Sequence, residues 1–207
     1  MESGQIVVQE LSETALLARL GAGARSLPFL PTRGLIGTDL IAINPDLVMV
    51  PDPFGGPDVV ACRALVPDVA LVHCHCADRF GNLQMEPTAV WPDIGIMPKA
   101  AKKVIATVEE IVDTEVLRSS PERTVLPGFM VDAVVEVPFG AHPTSFNPRY
   151  GYDTAFHRGW IAVSRDHEGA RAWMQRYVYE PATQEDYLDR VGGTGRLEEL
   201  RRWEITE

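Results

Sequence analysis

A carboxylate at the start of a helix and an arginine in a stiff loop are the first candidates for chemistry in this sequence. Glu13 follows Ser12, a good N-cap, and leads into Leu16, Leu17 and Leu20, whose spacing predicts an amphipathic helix over 14–20. A carboxylate in a first helical turn complements the macrodipole by a few tenths to about 1 kcal/mol, and that role alone accounts for it. Arg33 lies in Leu27-Pro28-Phe29-Leu30-Pro31-Thr32-Arg33-Gly34, where two prolines and a glycine exclude a helix and predict an extended loop that Gly37-Thr38-Asp39 continues. A surface arginine is the ordinary reading there. A rigid loop is also a good platform for a bidentate carboxylate clamp.

Other residues have metal-binding or nucleophilic types but unfavourable spacing. His73-Cys74-His75-Cys76 holds four metal-type ligands, yet in a strand the histidines face one side and the cysteines the other. Four such ligands do not converge on one tetrahedral ion, so no metal is expected there. Phe54-Gly55-Gly56-Pro57 reads as an ordinary turn, Cys62 as a small buried hydrophobe in a strand, and His142, before Pro143, as a residue that holds a loop. No GxGxxG, P-loop, GxSxG or HExxH signature occurs.

The 207 residues carry a net charge of −10, which argues against a nucleic-acid partner and also works against an anionic ligand unless local arginines, backbone amides or another chain supply the site. Three cysteines make no disulfide framework, and neither a signal peptide nor an apolar run long enough to span a bilayer is visible. A cytoplasmic, reduced protein without membrane contact is the expectation.

The elements that must position these residues alternate. Strands are expected at 6–10, 47–50, 59–65, 69–73, 83–85, 104–108 and 131–137, with Asp78-Arg79-Phe80-Gly81-Asn82 as a tight turn. Pro98 is placed at the first position of a short helix through Lys103, and another helix spans 115–118. Helices are expected over 153–178, 184–191 and 195–203. This pattern predicts an α/β fold with an open, mostly parallel sheet flanked by helices, in a single domain over 1–207 with a helical C-terminal extension from about 153.

Read together, four segments resemble the A (alpha) subunits of family I CoA-transferases, in the glutaconate CoA-transferase-like branch. They are Leu27 to Arg33 with Gly37-Thr38-Asp39; Pro67 to His73 with Ala77-Asp78 and Gly81-Asn82; Ala100 to Ile105 with Val108 to Val112; and Val131 to Val137 with Gly140 to Ser145. The resemblance implies the family's open sheet, lacking its first N-terminal units, because the strand and Gly-Gly-Phe signature that open the family's A subunits are absent. A truncated chain is therefore expected. It also implies a B subunit, which in the family supplies a nucleophilic glutamate within Ser-Glu-Asn-Gly; no such motif occurs here.

The function implied is transfer of CoA between a thioester and a small dicarboxylic acid, with an acyl-CoA and a carboxylic acid as substrates and no cofactor beyond the CoA thioester itself. Arg33 is expected to hold the acyl carboxylate, Gly37 and Thr38 to line the pocket, and Glu13 to orient the thioester or activate water. Where relatives carry an amide at this place, a carboxylate resembles the A subunit of a steroid-degradation hydrolase that opens a ring of a cyclic β-keto acyl-CoA. That is the alternative, since a carboxylate takes a proton from water and an amide does not. A non-catalytic ligand-sensing domain is a second alternative, and the sequence shows neither the helix-turn-helix nor the basic surface that a DNA-binding sensor needs.

Overall fold

A computed structural model describes residues 7–86 and 92–202. Two compact units emerge within them, one taking in 7–72, 92–105 and 130–132, the other 73–86, 106–129 and 133–202.

The first unit begins with helix α1 (Glu13–Ala24), where the Ser12 hydroxyl accepts the Ala15 N–H at 3.2 Å and so satisfies one of the unpaired first-turn amides. Ala15, Arg19, Leu20 and Ala22 give α1 its buried face, which packs on strand β1 (Phe29–Thr32) and on helix α3 (Pro92–Ala100). β1 pairs with β3 (Val59–Arg63), and β3 with β2 (Leu47–Val50), in an antiparallel three-stranded sheet of order β1-β3-β2. A four-residue helix α2 (Leu40–Ile43) precedes β2.

Three local expectations are corrected here. Part of the proline-flanked loop is strand β1, and Pro31 is tolerated because β1 lies at the sheet edge, where one side needs no donor. Pro98 lies inside α3, not at its start. The described residues of the expected strand at 6–10 form no strand, and Ile6 lies outside the described residues. Side-chain amides hold this segment instead of a ladder. Asn44 donates to the Glu10 carbonyl at 3.0 Å, and Gln9 donates to the Asn44 and Asp46 side chains.

The five-stranded sheet has the order β7-β5-β4-β6-β8, built from β4 (Ala70–Asp78), β5 (Leu83–Gln84), β6 (Val104–Val112), β7 (Thr124–Leu126) and β8 (Ala133–Glu136). Hydrogen bonds climb together from Lys102 N to Pro67 O, then Ala70 N to Lys103 O, so β4 and β6 run parallel. The bonds Asp132 N to Val104 O and Val137 N to Val108 O make β6 and β8 parallel as well. β5 returns antiparallel to β4, and β7 is antiparallel to β5. The turn between β4 and β5 is held by the buried Asp78 carboxylate, which accepts the Phe80 and Asn82 amides and the Asn82 side chain. The fold is thus the expected open α/β arrangement, with a mixed sheet.

Helix α4 (Thr114–Arg118) follows β6, and the chain ends in helices α5 (Thr154–Val163), α6 (His167–Met174), α7 (Gln184–Arg190) and α8 (Gly193–Arg201), with a π-helical turn at Gln175–Tyr179. Three of these starts are capped by side chains. Asp153 and Asp166 cap α5 and α6, and a Thr183/Asp186 capping box opens α7. Among the described residues, no helix is long and apolar enough to cross a membrane.

The first unit depends on one buried charge. Arg19, 5% exposed, donates to Asp46 at 2.7 Å, to the Arg63 carbonyl at 3.1 Å and to Gln9 at 3.1 Å, which ties α1, the segment before it and β3 together. Arg19→Met leaves a carbonyl and much of a carboxylate without donors, and should cost about 3 kcal/mol. Urea unfolding with an unchanged m-value measures this; an unchanged midpoint contradicts it.

Candidate functional site

The residues singled out for chemistry come from two segments that the first unit packs against each other. Glu13 is the first residue of α1, and its side chain is exposed. Arg33 leaves the end of β1 and opens a run of tight turns. The Thr32 hydroxyl accepts the Gly34 N–H at 3.1 Å, the Arg33 carbonyl accepts the Ile36 N–H, and the Leu35 carbonyl accepts both the N–H and the hydroxyl of Thr38. Gly37 takes φ +85°, a left-handed conformation that costs a side-chain-bearing residue energy. Arg33, Gly37 and Thr38 are all exposed around Leu35, which is 1% exposed and shares a buried cluster with Ala15, Leu47, Val60 and Cys62.

Leu35 therefore anchors a loop that would otherwise be held by few contacts. Gly34 lies against Thr14, so the backbones that carry Glu13 and Arg33 are neighbours. Neither the Glu13 carboxylate nor the Arg33 guanidinium has an ion-pair partner among the described residues. An exposed cation and anion on a rigid support can each engage a ligand without first breaking an internal bond.

The remaining candidates take the roles that their spacing suggested. Gly55 turns at φ +83° in the loop after β2, with the Phe54 N–H donating to Asp52. Cys62 is buried in β3, and burial raises its thiol. In β4 the alternation holds. Both histidine rings meet Phe146, at 4.6 Å from His73 and 4.2 Å from His75, while Cys74 is buried and its thiol is pushed up to about 12 by burial. His142 is buried, with Nδ1 2.7 Å from the Tyr187 hydroxyl and Nε2 3.1 Å from Asp153, which holds its loop against the C-terminal helices.

Two polar clusters of the second unit were not legible as sites. Glu109 on β6 accepts from His73 Nε2 at 2.9 Å, the Tyr150 hydroxyl at 2.8 Å and the Phe139 N–H at 2.9 Å, while His73 Nδ1 lies 2.8 Å from Thr107. The order hydroxyl, imidazole, carboxylate is that of a nucleophilic triad. Here, though, the carboxylate has two further donors and the imidazole lies against Phe146, so the arrangement ties the loop after β8 to the sheet. The second cluster joins Arg149 to Glu86 at 2.8 Å and to Glu110 at 2.9 Å, on the wall of a cavity of about 170 Å³ that His75, Cys76 and Arg123 also line. A glutamate pair in the middle of an apolar strand was the one sequence signal for either cluster; its partners lie 30–41 residues away.

Comparison with known proteins identifies the family of the chain. Residues 1–137 match the family described as Coenzyme A transferase, and the chain belongs to that family. It is 42% identical to an uncharacterized protein of Archaeoglobus fulgidus over 99% of this chain and 45% of that one. It is 36% identical to the A-type chain of the 3-oxoadipate CoA-transferase of Pseudomonas knackmussii over 83% of this chain and 59% of the relative. A cholesterol ring-cleaving hydrolase subunit of Mycobacterium tuberculosis is 33% identical over 93% of this chain and 68% of its own length. Among solved structures, glutaconate coenzyme A-transferase from Acidaminococcus fermentans superposes with a TM-score of 0.88 and 29% identity, over 96% of this chain and 67% of that one. The chain thus spans roughly half to two thirds of the length of these proteins.

The buried groups set an acid limit on stability. Burial, outweighing the pull of Asp153, lowers the His142 pKa, and burial likewise lowers that of His75. Burial works to raise the Asp153 carboxyl, but Arg196, the Phe156 N–H and His142 overcome it and hold the group well below the carboxylate range. The unfolded chain therefore takes up protons on the histidines before the folded one does, and stability should begin to fall as pH drops below about 6.5. A second loss follows below about 4, as Asp153 is protonated first in the unfolded chain. His142→Gln should reduce the first phase to the part that His75 contributes. A denaturation series from about pH 7.5 to about pH 2.5 reads both, and an unchanged slope in the upper phase contradicts the assignment.

Proposed function

We propose that this chain is the A-type subunit of a heteromeric acyl-CoA transferase that moves CoA between a thioester and a small dicarboxylic acid. The observation that carries this reading is the presentation of Glu13 and Arg33 from neighbouring backbones, exposed and without ion-pair partners among the described residues, in a chain of the Coenzyme A transferase family. Arg33 holds the distal carboxylate of the acyl group through its two-pronged donor geometry. Gly37 and Thr38 line the pocket, and the Thr38 hydroxyl, donating to Leu35, keeps its lone pairs for a ligand donor. Glu13 orients the thioester.

The covalent nucleophile comes from a B-type partner chain. Its glutamate carboxylate attacks the thioester carbonyl and expels the CoA thiolate, leaving an acyl–glutamyl anhydride; the thiolate then attacks the glutamyl carbonyl, so that CoA ends on the glutamate as a thioester and the first acid departs as its carboxylate. The incoming carboxylate then takes the CoA by the reverse steps. Splitting the transfer in this way keeps the activation energy in an anhydride or a thioester throughout, and none is lost to water. No cofactor is required beyond the CoA thioester, and the three free cysteines suit a reducing, cytoplasmic setting.

A second reading follows from the carboxylate at position 13. As a general base, Glu13 would activate water for ring opening of a cyclic β-keto acyl-CoA, the class of reaction named for the mycobacterial relative. Co-expression with the B-type chain separates the two. Transfer of CoA to an added carboxylate, with a borohydride-trappable thioester on the partner, supports the transferase; a water-derived carboxylate with CoA still attached supports the hydrolase. Glu13→Gln should keep most transferase activity, because an amide still orients a thioester, but would cut a hydrolytic rate by about 10²-fold or more. Arg33→Ala should raise KM for a dicarboxylic acyl-CoA about tenfold, as loss of a charge-assisted bond worth roughly 1.5 kcal/mol requires. An unchanged KM in that variant overturns the assignment of Arg33.

A further inference from the structure

Thr14 and Gly34 each directly follow one of the two proposed site residues, and they meet. A Cβ placed on Gly34 would stand 3.0 Å from the Thr14 methyl carbon Cγ2, 3.6 Å from Thr14 Cβ and 3.5 Å from Thr32 Oγ1. Carbon atoms pack optimally at about 3.5–4.0 Å, so a side chain at 34 would meet the Thr14 methyl inside that distance, and the space beside it suits a residue without a Cβ. The loop has little freedom to absorb a change there. The Gly34 N–H is held by the Thr32 hydroxyl, and the next residue, Leu35, is locked in the core cluster with Ala15.

We propose that Thr14 is a positioning residue whose methyl group acts as a spacer, fixing the gap between the helix turn that carries Glu13 and the loop that carries Arg33, and so setting the length of acyl group that the pair can span. The proposal rests on the function given above. Thr14 does not touch the acyl group in this account; it acts through the position of Arg33. The glycine is equally required, because a side chain at 34 forces the Thr14 methyl or the loop to give way by a few tenths of an ångström. Misplacement by 1 Å costs up to about 10²-fold in rate, so a shift of this size should cost about tenfold.

The test is a cycle of Gly34→Ala, Thr14→Ser and the double variant in the complex with the B-type chain. The readouts are kcat/KM for a dicarboxylic acyl-CoA, kcat/KM for a monocarboxylic acyl-CoA of the same chain length, and Tm. Gly34→Ala should lower the first about tenfold and the second much less, because only the dicarboxylic substrate uses Arg33. Thr14→Ser removes Cγ2 and keeps the hydroxyl, so the double variant should regain most of the lost discrimination. A general structural role would lower both substrates alike and track Tm, which overturns the proposal. Failure of the double variant to recover overturns it too. If Arg33→Ala, run alongside, leaves the dicarboxylic preference intact, the site reading itself fails and the spacer with it; if that variant loses the preference and the cycle shows no coupling, only the spacer is lost.

Discussion

A loop whose useful residues all face outward has to be fixed by something that faces inward. In this chain that is Leu35. Its side chain enters a cluster with Ala15, Leu47, Val60 and Cys62, which joins the turn after β1 to the first turn of α1, to β2 and to β3. Arg33, Gly37 and Thr38 gain their fixed directions from that single insertion. Burial of a leucine side chain is worth about 2–3 kcal/mol, comparable to the backbone entropy of ordering one or two loop residues. The turn hydrogen bonds at Thr32, Arg33 and Leu35 must supply the rest.

Charge is distributed with the same economy. The chain has ten more acidic than basic side chains, which sets it against an anionic thioester. Several arginines are already committed internally: Arg19 to Asp46, Arg149 to Glu86 and Glu110, Arg190 to Glu180, Arg196 to Asp153. Arg33 is not, among the described residues.

Much of the architecture could be read from residue patterns, because strand and helix periodicities are local. The apolar runs of β2, β3, β4 and β6 and the capped helices after Asp153 all announced themselves. What failed were places where a local rule met a tertiary exception. Pro31 sits in a strand because that strand is an edge. Pro98 sits inside a helix. Gln9 and Glu10 are held by side-chain amides, not by a neighbouring strand. Of the candidate site, Glu13 and Arg33 could be chosen by type and by family resemblance, but their common support, Leu35 against Ala15 and Gly34 beside Thr14, was not legible. Nor were the Glu109 and Arg149 clusters, whose partners lie tens of residues apart and become neighbours only in the folded sheet.

The Asp153 carboxylate has a consequence for how the second unit opens. It accepts from Arg196 on α8, from His142 in the loop after β8 and from the Phe156 N–H of α5, while Gly151 N–H donates to the Leu200 carbonyl. No one of these segments can leave without stranding the others' buried donors. Amide hydrogen exchange should therefore find residues 140–156 and α8 behaving as one cooperative block, protected and released together, although some forty residues of chain separate them.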